Sequence, residues 1–135
     1  MAPQALSGLL DVLRRGLRRG ATGEALAAQH LEEQGLVILA RNFRCRSGEV
    51  DIVAREGEAV AFVEVKERNG ASHGEGYEAV GFGKRRRIVR AARLYAVRHG
   101  VSEGRLRFDV VSVEWGRDGR PRLRHDRAAF DEDGR

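Results

Sequence analysis

Two apolar runs, Val50-Asp51-Ile52-Val53-Ala54 and Ala59-Val60-Ala61-Phe62-Val63-Glu64-Val65-Lys66, stand on either side of Gly57-Glu58. A two-residue turn with Gly first closes such a pair into an antiparallel hairpin. Glu56 then pairs with Ala59, and counting back sets Asp51 opposite Glu64. The second run is apolar on both faces until Glu64, which marks a central, buried strand.

Working outward, Thr22 is an N-cap candidate for a helix over 23–34 with Gly35 as its C-cap, and Glu24 falls in the first turn of the packed face. Leu36 to Phe43 reads as a strand that turns at Arg46-Ser47-Gly48. Beyond the hairpin, residues 68–76 read as a loop with Gly70, Gly74 and Gly76. A helix over 84–99 ends at Gly100, with Ile88, Ala91, Ala92 and Tyr95 as its inward stripe. A strand follows over 105–115, then an Asp118-Gly119 turn and a short strand near Arg122-Leu123-Arg124. The order α-β-β-β-α-β-β predicts an α/β fold, one mixed sheet flanked by helices. Residues 1–20 carry leucines at helical spacing with Arg14, Arg15, Arg18 and Arg19 between them. They read as a basic N-terminal segment: a frayed, flexible end, a loose helix, a nucleic-acid arm or a transit-like sequence. The single domain is expected over 21–130, and residues 131–135 as a disordered tail.

The hairpin poses a charge problem. Two full negative charges about 5 Å apart repel by about 3 kcal/mol at an effective dielectric near 20, and burial adds desolvation. Either one carboxylate keeps its proton or a cation sits between Asp51 and Glu64. Carboxylate oxygens suit hard divalent cations such as Mg²⁺. Lys66 leaves the same strand face as Glu64. Beside a metal it is placed to orient, or help deprotonate, the water that attacks a phosphodiester. The plainer reading of Glu64 and Lys66 is an ion pair at a strand end. The opposing Asp51 and the rarity of lysine favour the site, because 23 of the 25 basic residues are Arg and only Lys66 and Lys84 are Lys. Arg stays protonated and makes a poor base. Glu24 adds a third carboxylate if its helix crosses the sheet.

The 135 residues carry a formal charge of +5 and a pI near 10.3, which points to a polyanionic partner. Lys84, Arg85, Arg86, Arg87, Arg90, Arg93 and Arg98 follow one another with no intervening acid. Lys84, Arg85, Arg86, Arg87, Arg90 and Arg93 are therefore nucleic-acid-binding candidates, making salt-sensitive phosphate contacts near a helix start. Cys45 alone makes neither a disulfide framework nor a cysteine zinc site, and reads as a small, partly buried residue. His30, His73, His99 and His125 lack metal-ligand spacing and read as exposed or capping. Trp115 and Tyr95 read as packing residues. Glu49 falls opposite Lys66 as an ion-pair candidate, and Asp109 as the partner of a nearby arginine at a strand surface. No apolar run approaches the roughly 20 residues of a membrane helix, and no secretory signal is visible. A cytoplasmic protein without a membrane partner is expected.

Gly23-Glu24, Arg41-Asn42-Phe43-Arg44, Gly48-Glu49-Val50-Asp51-Ile52-Val53, Phe62-Val63-Glu64-Val65-Lys66, Glu78-Ala79-Val80, Lys84 with its basic cluster, and Arg107-Phe108-Asp109-Val110-Val111 occur in that order. The series, spanning 20–130, resembles the YraN-type family of small bacterial candidate endonucleases. That family is similar to archaeal Holliday-junction resolvases within the PD-(D/E)xK, restriction-endonuclease-like superfamily. The resemblance implies Asp51 and Glu64 as metal ligands, Lys66 as catalytic lysine, Glu24 as a helix-borne acid, and the Val65 carbonyl beside the metal. Val50 replaces the superfamily's proline, and Glu67 follows the lysine where relatives carry an uncharged residue. The expected activity is Mg²⁺- or Mn²⁺-dependent hydrolysis of phosphodiesters in DNA, branched or junction DNA included, with a homodimer where two strands are cut. The alternative is a non-catalytic nucleic-acid-binding module or adaptor that keeps the nuclease fold.

Overall fold

The computed structural model describes residues 21–69 and 80–135. Residues 1–20, the glycine loop after Asn69 and His73, read above from the sequence, lie outside the described residues. The elements are α1 (Ala21–Glu33), β1 (Val37–Cys45), β2 (Gly48–Glu56), β3 (Ala59–Asn69), α2 (Phe82–His99), a short 3₁₀ turn (Glu103–Arg105), β4 (Leu106–Trp115) and β5 (Pro121–Phe130). Their order is α-β-β-β-α-β-β, as read from the sequence. The five strands form one sheet in the order β1-β2-β3-β4-β5. Only β3 and β4 run parallel, and the crossover between parallel strands is where α2 lies.

One helix covers each face. Leu26, Ala27, Ala28 and Leu31 of α1 bury against Ile52, Ala54, Ala61, Val63, Val111 and Val113. On the other face Ile88, Ala91, Ala92 and Tyr95 of α2 bury against Val53, Val60, Phe62 and Phe108. Covered on both sides, β3 needs apolar residues at successive positions, which is why Val60 to Val63 do not alternate. Thr22 lies inside α1 rather than ahead of it. Gly35 ends that helix with φ +92, and the Leu36 amide donates back to the Leu31 carbonyl at 3.0 Å, a left-handed cap that glycine adopts without strain.

Two features depart from expectation. β5 runs to Phe130, well past Arg124. It is an edge strand of mostly polar residues, so the apolar alternation that marks a strand in sequence is missing; pairing with β4 holds it, with a register shift between Phe108 and Val110 and Ala128 at φ 50. Residues 131–135, expected to be disordered, form a turn in which Asp131 Oδ1 accepts the amides of Asp133 and Arg135 at 2.9 Å each.

The β1–β2 hairpin touches α2 through glycine. A Cβ on Gly48 would stand 3.2 Å from both Arg87 Cβ and the Arg87 carbonyl oxygen. Gly48→Ala is expected to push the first turns of α2 off the sheet and to cost about 1–3 kcal/mol, read as a lowered thermal midpoint by circular dichroism.

Candidate active site

β2 and β3 pair from Glu56–Ala59 as far as Ile52–Val63, and one further step in that register sets Asp51 opposite Glu64. The next bond across the gap runs from main chain to side chain: the Val65 amide donates to Asp51 Oδ2 at 2.8 Å. Val50 and Val53 both belong to the α2-side core although three positions apart. The strand therefore turns over around Asp51, and Asn42 on neighbouring β1 takes φ 55. A carboxylate thus sits where the ladder opens.

Glu64 is 4% exposed. Burial pushes its carboxyl up, the hydrogen bond from Lys84 pulls it down, and the charge of Asp51 pushes it up again, leaving a net rise. Lys84 Nζ lies 2.6 Å from Glu64 Oε1. Lys66 is half-buried nearby, and its ammonium is held below the usual lysine range first by burial and then by the charge of Lys84. Glu24, in the first turn of α1, is raised by burial and by the charge of Asp51. Its Oε1 is buried with no hydrogen-bond partner, and Arg41 Nε stands 3.7 Å away. Among the described residues no three acidic, His or Cys side chains converge on one metal position. The structure therefore brings Asp51, Glu64 and Lys66 together and leaves Glu24 at the margin, within their field.

Lys84, read from the sequence as a phosphate contact, meets Glu64 in the structure while its side chain stays 43% exposed. The signal was present, because Lys84 lies four residues before Ile88 and so continues the buried stripe toward the helix start; the rarity of lysine applied to it as well. Arg86, Arg87, Arg90 and Arg93 are exposed and Arg85 half-buried, with Arg85 and Arg86 over the Phe82 ring at 5.9 and 5.6 Å. Glu49 is not paired with Lys66. The β2–β3 ladder stops before reaching it, and it meets Arg44 of β1 at 3.3 Å. Glu67 leaves the site altogether, accepting from Trp115 Nε1 at 2.8 Å and lying against Gly23.

Residues 23–113 match the profile of a family described as "Uncharacterised protein family UPF0102". A UPF0102 protein of Anaeromyxobacter dehalogenans (strain 2CP-C) is 53% identical over 116 residues, 86% of each chain. One from Parafrankia sp. (strain EAN1pec) is 48% identical over 87% of this chain and all of its own length. One from Symbiobacterium thermophilum is 49% identical over 84% of this chain and 96% of its own. The chain belongs to the UPF0102 family. The matched span takes in Glu24, Asp51, Glu64, Lys66 and Lys84. No helix of this UPF0102 protein is long and apolar enough, among the described residues, to cross a membrane.

A second charged cluster lies on the α1 face. Asp109, expected at a strand surface, is fully buried, because its β-strand position points under β5. Arg107 grips it at 2.9 and 2.8 Å, the Ala128 amide donates at 3.0 Å, and His125 Nε2 lies 2.8 Å away. The His125 side chain is 1% exposed, against the exposed role expected. Burial pushes the Asp109 carboxyl up, and the bonds from His125, Arg107 and Ala128 outweigh it to leave it lowered. Arg127 and Arg107 bond Glu56 at 2.8 Å each; Arg127 first, with burial opposing and Arg107 adding, these hold Glu56 at about 2. No spacing in the sequence announces these contacts, which join residues far apart along the chain.

Both shifts lie below the unfolded values, so this cluster stabilises the fold above the ordinary carboxylate range and loses that stability as pH falls. For Glu56 the window runs from 4.5 down to about 2. Thermal melts followed by Trp115 fluorescence should show the midpoint falling through that window, and Glu56→Gln should flatten the fall.

Proposed function

We propose that this UPF0102 protein is a metal-dependent endonuclease of the restriction-endonuclease-like kind, hydrolysing phosphodiester bonds in DNA of irregular or branched structure. The observation that carries the reading is the facing pair Asp51 and Glu64 at the opening of the β2–β3 ladder, with Lys66 on the same face. A buried Glu64 whose carboxyl is raised beside a Lys66 whose ammonium is lowered supports a site arranged for chemistry.

The two carboxylates would supply hard oxygen ligands that suit Mg²⁺ or Mn²⁺, and Glu64 already carries a cationic partner in Lys84. A divalent metal there would polarise the scissile phosphate and acidify water. The protein's own groups do the rest. Asp51 is held in place by the Val65 amide. Glu64 projects from the rigid central strand. Lys66, whose neutral amine is favoured by burial and by the charge of Lys84, receives a proton from the attacking water as the amine, or as the ammonium hydrogen-bonds to the charge that develops on phosphate. Glu24 adds negative charge at the margin of the pair. Exposed Arg86, Arg87, Arg90 and Arg93 attract the phosphate backbone without reading bases. Cutting both strands of a junction would take two such sites, hence a homodimer.

Purified wild type, Asp51→Asn and Lys66→Ala, incubated with linear duplex, single-strand and four-way-junction DNA in Mn²⁺ or EDTA, test the assignment. Metal-dependent cutting by wild type should fall at least about 100-fold in each variant. Unchanged cutting by both variants would remove Asp51 and Lys66 from the site. The hold of Lys84 on Glu64 favours a second reading, a nucleic-acid-binding module; its outcome is salt-sensitive binding by all three proteins with no cutting by any.

The arginine face has its own readout. Replacing Arg86, Arg90 and Arg93 together by Ala should weaken DNA binding and reduce the slope of log K against log salt by about 0.9 for each phosphate contact removed.

A further inference from the structure

We propose that Lys84 is an exchangeable counter-cation of the acidic site: a metal ion takes Glu64 only as the Lys84 ammonium moves off it onto a nucleic-acid phosphate, so that metal and nucleic acid bind cooperatively. The proposal rests on the nuclease reading and adds to it the order in which the site is filled.

The contact itself is the first ground. Lys84 Nζ meets Glu64 Oε1 at 2.6 Å, where the glutamate side chain is 5% exposed and the lysine side chain 43% exposed. The carboxylate is therefore fixed and buried, while its partner enters from the solvent side on a flexible stem. An ammonium on Oε1 and a divalent cation on the same carboxylate would stand as like charges side by side, so the two compete.

The surroundings give the displaced ammonium a destination. Lys84 sits in the first turn of α2, which contains no acidic residue and whose N-cap, Gly81, makes no side-chain cap. Arg86 and Arg87, on the same turn, are exposed. Phosphate arriving there meets backbone amides, two guanidinium groups and, when it swings outward, Lys84. A lysine is the right residue for exchange. Its compact charge makes a single-point contact that breaks easily, whereas an arginine fork would hold the carboxylate through two bonds. That accounts for lysine at position 84 in a chain whose other cations, Lys66 apart, are all arginine.

Cooperativity of this origin is reciprocal, and it is measurable without turnover. In a Lys66→Ala background, Mn²⁺ is titrated calorimetrically with and without a short DNA duplex, comparing Lys84, Lys84→Gln and Lys84→Arg. With Lys84 present, the duplex should tighten Mn²⁺ binding about tenfold. Lys84→Gln keeps a hydrogen-bond donor for Glu64 without the charge; it should bind Mn²⁺ about tenfold more tightly in the absence of DNA and lose the DNA effect. Lys84→Arg should bind Mn²⁺ more weakly than Lys84, which keeps the question answerable should the glutamine variant fail to fold by circular dichroism. Arg98→Gln removes an equal charge from the last turn of α2, far from Glu64, and should leave Mn²⁺ affinity without DNA unchanged. Mn²⁺ affinity and DNA coupling unaltered by both Lys84 substitutions would overturn the proposal while leaving the nuclease reading standing. Mn²⁺ binding indifferent to Asp51→Asn would instead overturn that reading, and the proposal with it.

Discussion

Two carboxylates, half-buried Asp51 and buried Glu64, share the gap where the central hairpin opens, and like charges so placed have to be held by their surroundings. The main chain contributes first. The Val65 amide, which the ladder leaves over at that point, is taken by Asp51, so the strand separation and the position of the acid are one feature. The helices contribute next. α2 lies over the gap closely enough for Lys84 to reach Glu64, and that closeness depends on Gly48, which admits the Arg87 backbone where a side chain would stand. α1 crosses the other face and brings Glu24 into the same field. Each layer of the fold thus ends at this gap.

The framework was legible because its signals are local. The Gly57-Glu58 turn set the register of β2 and β3 by counting alone, and the observed pairs Glu56–Ala59 through Ile52–Val63 follow it. The run of apolar residues before Glu64 identified the covered central strand. Gly35 and Gly100 marked the two helix ends, Gly100 with φ 66 and its amide bonded to the Ala96 carbonyl. β5 escaped because an edge strand owes its pairing to a neighbour, and its sequence, Pro121-Arg122-Leu123-Arg124-His125-Asp126-Arg127, carries charges where a buried strand carries valines. The Arg107–Asp109–His125 cluster escaped for the same reason: partners on different strands leave no periodic trace.

The face-to-face acids and the lysine beside them could be placed from strand geometry, since residues two apart share a face and register fixes what stands opposite. Which cation meets Glu64 could not, because that depends on the height and rotation of a helix arriving from elsewhere in the chain. A run of basic residues reads as one surface until its helical phase is applied. Once the stripe Ile88, Ala91, Ala92 and Tyr95 is fixed, Lys84 falls in line with it, whereas Arg86, Arg90 and Arg93 fall outside.

Among the described residues Glu64 and Asp109 are the buried charged groups, and they lie on opposite faces of the sheet in opposite electrostatic states. Asp109 receives a guanidinium, an imidazole and a backbone amide, and its carboxyl is lowered. Glu64 receives one exposed lysine, stands against another carboxylate, and is raised. A saturated buried acid stabilises the fold that surrounds it and has little left to offer a ligand. An undersatisfied one costs stability, and a fold holds it where a further cation completes the arrangement. The sheet in this way separates a closed charge cluster that ties β5 to β4 from an open one with charge to spare. It is the open cluster, on a rigid central strand and beneath a helix rich in arginine, on which the proposed nuclease reading rests.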